Sequence, residues 1–169
     1  MRRLPAAARV LLALVAVVAL GLCARRYVAG TVRVAGASMR DTLCAGDVAL
    51  VTRPDYRLGA PGRGDVVECR FPGREDTYIK RVVGLPGEGV ACFGGALTVD
   101  GAVLNEGYVS SFTEDFEVNL GADEYLLLGD NRADSYDSRM ADMGPVGAGD
   151  ILGRVRFVLW PLNRFGPVR

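Results

Sequence analysis

The sequence predicts an all-β domain behind one apolar N-terminal segment, and three observations carry that reading. After Arg26, short β-branched runs alternate with Gly, Pro, Asn and Asp turn signals. Almost no stretch of that region sustains a helical period. Before it, residues 10–24 form an uncharged apolar run with arginines on both sides. The chain has 169 residues, half of them apolar, about the length of one domain with material for one core. Twenty Lys and Arg balance twenty Asp and Glu, so the sequence lacks the basic footprint of a nucleic-acid binder.

The N-terminal stretch runs from Met1-Arg2-Arg3 through the apolar run Val10 to Ala24 and ends at Arg25-Arg26. That run is shorter than the roughly 20 residues a membrane span prefers. Leu4 to Ala8 extend it if the long side chain of Arg9 reaches the interface. A basic start, an apolar run and Leu22-Cys23-Ala24 also fit a cleaved signal peptide. A lipoprotein-type Cys23 fits less well, because Leu22 is bulky for the position before such a cysteine. Arg25-Arg26 resemble a stop-transfer flank and favour an uncleaved anchor over residues 1–26, with the rest of the chain, 27–169, as one domain. Charge does not decide orientation, since Arg2, Arg3 and Arg9 on one side face Arg25, Arg26 and Arg33 on the other.

Within 27–169 the expected strands are Tyr27 to Val34, Asp47 to Thr52, Asp65 to Phe71, Thr77 to Val83, Leu97 to Val99 paired with Ala102 to Leu104, Tyr125 to Leu128, and Ile151 to Trp160. Asp100-Gly101 between two short apolar runs is a two-residue hairpin signal, because Gly accepts the positive φ of such a turn. Pro54 to Gly64 and Asn105 to Ala122 read as surface loops. Of the cysteines, Cys23 sits at the end of the apolar run, leaving Cys44, Cys69 and Cys92 with no CxxC pair. One disulfide is compatible with that number, but free, small core or surface residues are the expectation.

The chemistry-bearing stretch is Gly36-Ala37-Ser38-Met39-Arg40-Asp41-Thr42-Leu43, which sets one Ser on a Gly-preceded turn between two strand-like runs. The chain contains no His, so the usual imidazole base of a serine hydrolase is missing. A single Lys in a strand-like run, Lys80, is the candidate base. To serve, its amine must be neutral, which requires desolvation from about 10.4 towards about 7 to 8. Strand alternation places Tyr78, Lys80 and Val82 on one face and Ile79, Arg81 and Val83 on the other, so Lys80 has apolar neighbours whichever face is inward. Alone, Ser38 is an ordinary turn residue and Lys80 an ordinary strand lysine; the carboxylate- and Ser-rich run Gly129 to Arg139 makes the pair worth joining.

Five ordered segments then matter together: Gly36 to Leu43, Gly62 to Val67, Tyr78 to Glu88, Gly129-Asp130-Asn131-Arg132-Ala133-Asp134-Ser135-Tyr136-Asp137-Ser138-Arg139, and Ile151 to Arg154. In this order behind an apolar segment they resemble the sequence boxes of type I signal peptidases. The resemblance implies a mostly antiparallel, coiled β-sheet catalytic domain behind one transmembrane helix, with a small β insertion at about 89–123. It implies removal of signal peptides from exported preproteins, after small residues in the Ala-x-Ala sense, by a Ser-Lys dyad. Ser38 is then the nucleophile and oxyanion donor, Lys80 the general base, and Ser135 the hydroxyl that orients the amine. Arg81, Asp130, Asn131, Arg132, Asp137 and Arg139 brace the site, and Gly36 and Met39 face the substrate. The partners implied are signal peptides and the lipid bilayer, with no cofactor, metal or nucleic acid. The place implied is the cytoplasmic membrane, crossed once, with the catalytic domain outside.

Two departures stand out. The family usually has Pro where this chain has Asp41; Asp also occupies turns, so Pro at this position is expected to be accepted, and the added charge is expected to push Lys80 upward. Where some members carry a hydroxyl residue two before the nucleophile, this chain has Gly36. Two other readings share part of the pattern: a membrane-tethered relative that binds signal peptides with weak or no cleavage, and a LexA-like self-cleaving protein, which would carry a DNA-binding helix-turn-helix in place of the apolar segment.

Overall fold

Strand-forming sequence dominates after the first helix, and the computed structural model, which describes residues 5–27, 29–53 and 55–169, is accordingly mostly β. Helix α1 spans Ala6–Tyr27. Among the described residues no helix is long and apolar enough to cross a membrane. Expectations placed on Arg2, Arg3 and Leu4 lie outside the described residues.

The strands follow in chain order: β1 (Ala29–Arg33), β2 (Val48–Thr52), β3 (Val66–Cys69), β4 (Tyr78–Gly84), β5 (Gly89–Phe93), β6 (Ala96–Val99), β7 (Ala102–Val103), β8 (Phe116–Asn119), β9 (Glu124–Leu128), β10 (Val146–Gly147), β11 (Ile151–Trp160) and β12 (Gly166–Pro167). A one-turn helix, α2 (Asp55–Leu58), interrupts the expected 54–64 loop. One sheet runs β1-β2-β11-β3-β4-β9-β10 with β12 on β11, and a four-stranded sheet runs β7-β6-β5-β8. Every pairing is antiparallel. Register shifts in the β11–β2, β11–β3 and β4–β9 pairings mark bulges, which bend and further twist a sheet.

The β6–β7 turn carries positive φ at both Asp100 (48°) and Gly101 (79°), as a primed two-residue hairpin requires. Strands β5 and β8 were not expected; they pair with each other over a long separation, Cys92 opposite Phe116. Their short, Gly-flanked sequences carry little local signal.

Three apolar clusters flank the sheets. Val67, Cys69, Val82 and Leu127 centre one, Met39, Leu43, Val51 and Val155 the second, and Val83, Val90, Leu126 and Leu128 the third. Strand β4 lies between β3 and β9 and is buried from Lys80 onward on both faces. That position carries the chain's lysine out of water.

Candidate active site

Lys80 is only 2% exposed, at a register position opposite Val67 of β3. Burial lowers its pKa from the ordinary value, with Asp137 pulling the other way and Arg139 adding to the depression. Its Nζ donates to Ser135 Oγ at 3.1 Å, and Ser135 Oγ donates to Asp137 Oδ2 at 2.6 Å. The serine hydroxyl has one proton, so giving it to the carboxylate leaves its lone pairs for the amine. Burial alone would raise the Asp137 pKa, but the Arg139 guanidinium, the Gly129 N–H and the Ser135 hydroxyl outweigh it and hold the carboxyl below its usual range. Arg139 makes the fork contact, Nε to Oδ1 at 2.8 Å and Nη2 to Oδ2 at 3.0 Å, and also donates to Arg132 O at 2.9 Å.

Ser38 lies on a turn closed by Arg40 N–H donating to Ala37 O (3.0 Å) and Leu43 N–H donating to Met39 O (2.7 Å). Asn131 fastens this turn from outside: its N–H donates to Ser38 O at 3.0 Å and its Nδ2 to Ala37 O at 3.2 Å. Thr42 Oγ1 donates to Asp130 Oδ2 at 2.5 Å, and Arg81 grips the same carboxylate through Nε (2.8 Å) and Nη2 (2.7 Å). The Arg81–Asp130 pair is essentially buried, 2% and 0% exposed at the side chains, so removing one partner strands a charge and costs about 3–5 kcal/mol. Gly129 lets the two halves meet, since a Cβ there would lie 2.1 Å from Ser135 Oγ and 2.5 Å from Ser38 O.

Ser38 and Lys80 line one cleft of about 470 Å³, with no hydrogen bond between their side chains among the described residues. Val32, Val34, Ala35 and Gly36 form one wall, Tyr78 and Ile79 another. Gly36 has open space where a Cβ would point, so neither backbone strain nor crowding demands glycine there. Met39 lines the cleft yet is 2% exposed and packs with Val34, Leu43 and Val51, so most of its surface belongs to the core.

The structure overturns the expectations for Asp41. Its φ is +80°, a conformation proline cannot adopt, and its Oδ2 accepts from Ser110 Oγ at 2.7 Å. The largest charge effects on Lys80 come from Asp137, Cys69, Arg139 and Asp130, and Asp41 is not among them. Cys44, Cys69 and Cys92 are free. Sequence reasoning missed Thr42, Glu106, Tyr108 and Thr113, which contact Arg81, Arg132 or Asp130; the last three lie in a stretch read as surface loop.

Comparison with known proteins decides the lineage. A family described as signal peptidase, peptidase S26, matches residues 7–160. The chain belongs to this signal peptidase family. Signal peptidase I of Leptolyngbya laminosa is 37% identical over 161 residues, covering 89% of this chain and 77% of that protein. Signal peptidase I T of Bacillus subtilis (strain 168) is 32% identical over 163 residues, covering 89% of this chain and 84% of its own. A crystal structure of a signal peptidase I from Enterococcus faecalis V583 superposes with TM-score 0.51 at 30% identity, over 57% of this chain and 97% of that one. As a member of the signal peptidase family the protein is a serine peptidase, a hydrolase.

Proposed function

We propose that this protein is a membrane-anchored endopeptidase that removes N-terminal signal peptides from exported preproteins with Ser38 and Lys80 as its dyad. The observation that carries the reading is the Lys80 amine, buried in the sheet, its charged form disfavoured, and held by Ser135 in the same cleft as Ser38. Ser38 Oγ attacks the scissile carbonyl carbon while its proton passes to the neutral amine. The resulting oxyanion is met by the Ser38 N–H, which the turn's own hydrogen bonds leave unused among the described residues. Collapse breaks the C–N bond, and Lys80 hands the proton to the leaving amine. Water, deprotonated by the same amine, then hydrolyses the acyl-enzyme, and the proton returns to Ser38.

The preference for small residues of the Ala-x-Ala kind follows from a cleft walled by branched and aromatic side chains, Val32, Val34, Ile79 and Tyr78. An extended peptide can lie along residues 32–36 through its main chain. Residues 1–26 form the anchor in this reading and 27–169 the catalytic domain, with the four-stranded sheet as its insertion. In α1, Val10, Leu11, Leu14, Val17, Leu20 and Leu22 stand exposed without protein to cover them, and a bilayer is the environment that buries such side chains. The domain then works on the outer side of the cytoplasmic membrane.

Mass spectrometry of a model preprotein incubated with purified wild-type protein and Ser38→Ala tests the proposal. The expected result is one cut after a small residue by the wild type and none by the variant. Cleavage by Ser38→Ala at the wild-type rate removes Ser38 as nucleophile, and absence of cleavage by the wild type removes the enzymatic reading.

A further inference from the structure

The segment between β7 and β8 reaches back over the arginines of the active site. Arg132 has a fully buried side chain, and its guanidinium is gripped by both oxygens of Glu106, Nη2 to Oε1 at 2.5 Å and Nη1 to Oε2 at 2.8 Å. Thr113 Oγ1 accepts a further bond from Nη1 at 3.2 Å. The Tyr108 ring lies under the Arg81 guanidinium, 4.0 Å from its centroid, and the Tyr108 hydroxyl donates to Glu106 Oε1 at 2.8 Å. Ser110 Oγ donates to Asp41 at 2.7 Å.

These contacts lead to the reacting groups in short steps. Arg132, held by Glu106, donates through Nε to Gly129 O at 2.9 Å. Gly129 is the residue at which an added Cβ would run into both Ser135 Oγ and Ser38 O. Arg81, capped by Tyr108, orients Asp130, which in turn holds Thr42 of the nucleophile turn. Asp41 keeps a left-handed backbone in that turn, and Ser110 is its side-chain partner.

We propose that residues 106–113 are a strap that sets the distance between the nucleophile turn and the Ser135 segment, with Glu106 and Ser110 as positioning residues. Among the described residues no hydrogen bond joins the strap to Ser38 or Lys80, so it acts through Arg132, Arg81 and Asp41. The inference rests on the Ser38–Lys80 reading above, because it concerns how that pair is held. A strap of this kind affects the chemical step more than substrate binding, since none of residues 106–113 is among those that line the cleft.

The test compares kcat and KM of the full chain in detergent micelles, on a model preprotein, for wild type, Glu106→Gln, Ser110→Ala and Ser110→Thr. Each variant is assayed well below its own melting temperature. Glu106→Gln is expected to lower kcat roughly ten- to hundredfold with KM little changed, the scale of a misplacement of about 1 Å. Ser110 is exposed, so its truncation is expected to leave the fold intact, and this pair decides the matter if Glu106→Gln does not fold. Ser110→Ala is expected to lower kcat several-fold and Ser110→Thr, which keeps the hydroxyl, to restore it. Lower melting temperatures with unchanged kcat in both Glu106→Gln and Ser110→Ala overturn the strap and leave a purely structural loop. A raised KM at unchanged kcat also overturns it. A wild type that does not cleave overturns the functional reading itself, and the strap with it.

Discussion

Replacing Gly129 by alanine tests the geometry of the site more directly than removing any catalytic group. The new methyl would lie 2.1 Å from Ser135 Oγ, 2.6 Å from Ser135 Cβ and 2.5 Å from Ser38 O. Comfortable heavy-atom contacts begin near about 3.5 Å, so both segments must retreat by on the order of 1 Å. Neither retreat is free, because Ser135 Oγ is bonded to Lys80 at 3.1 Å and to Asp137 at 2.6 Å, and Ser38 O accepts from Asn131 N–H at 3.0 Å. A misplacement of that size costs up to about a hundredfold in rate, so kcat should fall by about two decades. Overpacking destabilises by about 1–3 kcal/mol, small enough for an ordinary domain to stay folded. The assay is preprotein cleavage with a thermal melt beside it, and Gly149→Ala, outside the cleft, is the control, since its methyl meets nothing within 4 Å. A folded Gly129→Ala with kcat within about threefold of wild type would refute the close approach as a catalytic requirement.

Lys80 should titrate below its ordinary value of 10.5, because burial disfavours the charged amine more than Asp137 favours it. It is the only lysine in the chain, so side-chain nitrogen NMR of lysine-labelled protein reports it as a single resonance. In the proposed mechanism the neutral form is the base, so kcat/KM should rise with pH through the same depressed pKa, and Lys80→Arg, which keeps its charge, should be as inactive as Lys80→Ala. Folded Lys80 binds its proton more weakly than unfolded, so this group makes the fold more stable as pH rises through that window. An unshifted lysine resonance, or cleavage by Lys80→Arg near the wild-type rate, would contradict the assignment. Ser135→Ala should slow cleavage by roughly one to three decades at similar KM, read from initial rates; an unchanged rate would separate Ser135 from the amine. Asp41→Pro should lower both melting temperature and kcat, since proline cannot take φ +80°, whereas Asp41→Asn tolerates the left-handed backbone and should stay close to wild type. Equal melting curves for the two would show that the turn remodels freely.

Much of the site was readable because its residues cluster in sequence. Asp130 to Arg139 carry four of the candidate site's charged braces and Ser135 within one short run, and a run of that kind can be matched by residue type and spacing alone. Strand β11 was placed at Ile151 to Trp160 because its β-branched content is local. By contrast, β5 and β8 are stabilised by each other across the intervening hairpin, and the role of 106–113 depends on which arginines it meets. No spacing rule links Glu106 to Arg132 or Ser110 to Asp41.

The sequence by itself determined the mostly β class, the absence of histidine, the strand alternation around Lys80 and the order of the boxes, all properties of near neighbours along the chain. Only the tertiary structure decided that both faces of β4 are buried, that Asp137 and Ser135 converge on the amine, and that the turn at Asp41 is left-handed and tied to Ser110. The physical reason is that desolvation and hydrogen-bond geometry belong to the surroundings of a side chain. For Lys80 those surroundings are assembled from β3, β9 and the 129–139 segment, none of which adjoins it in sequence.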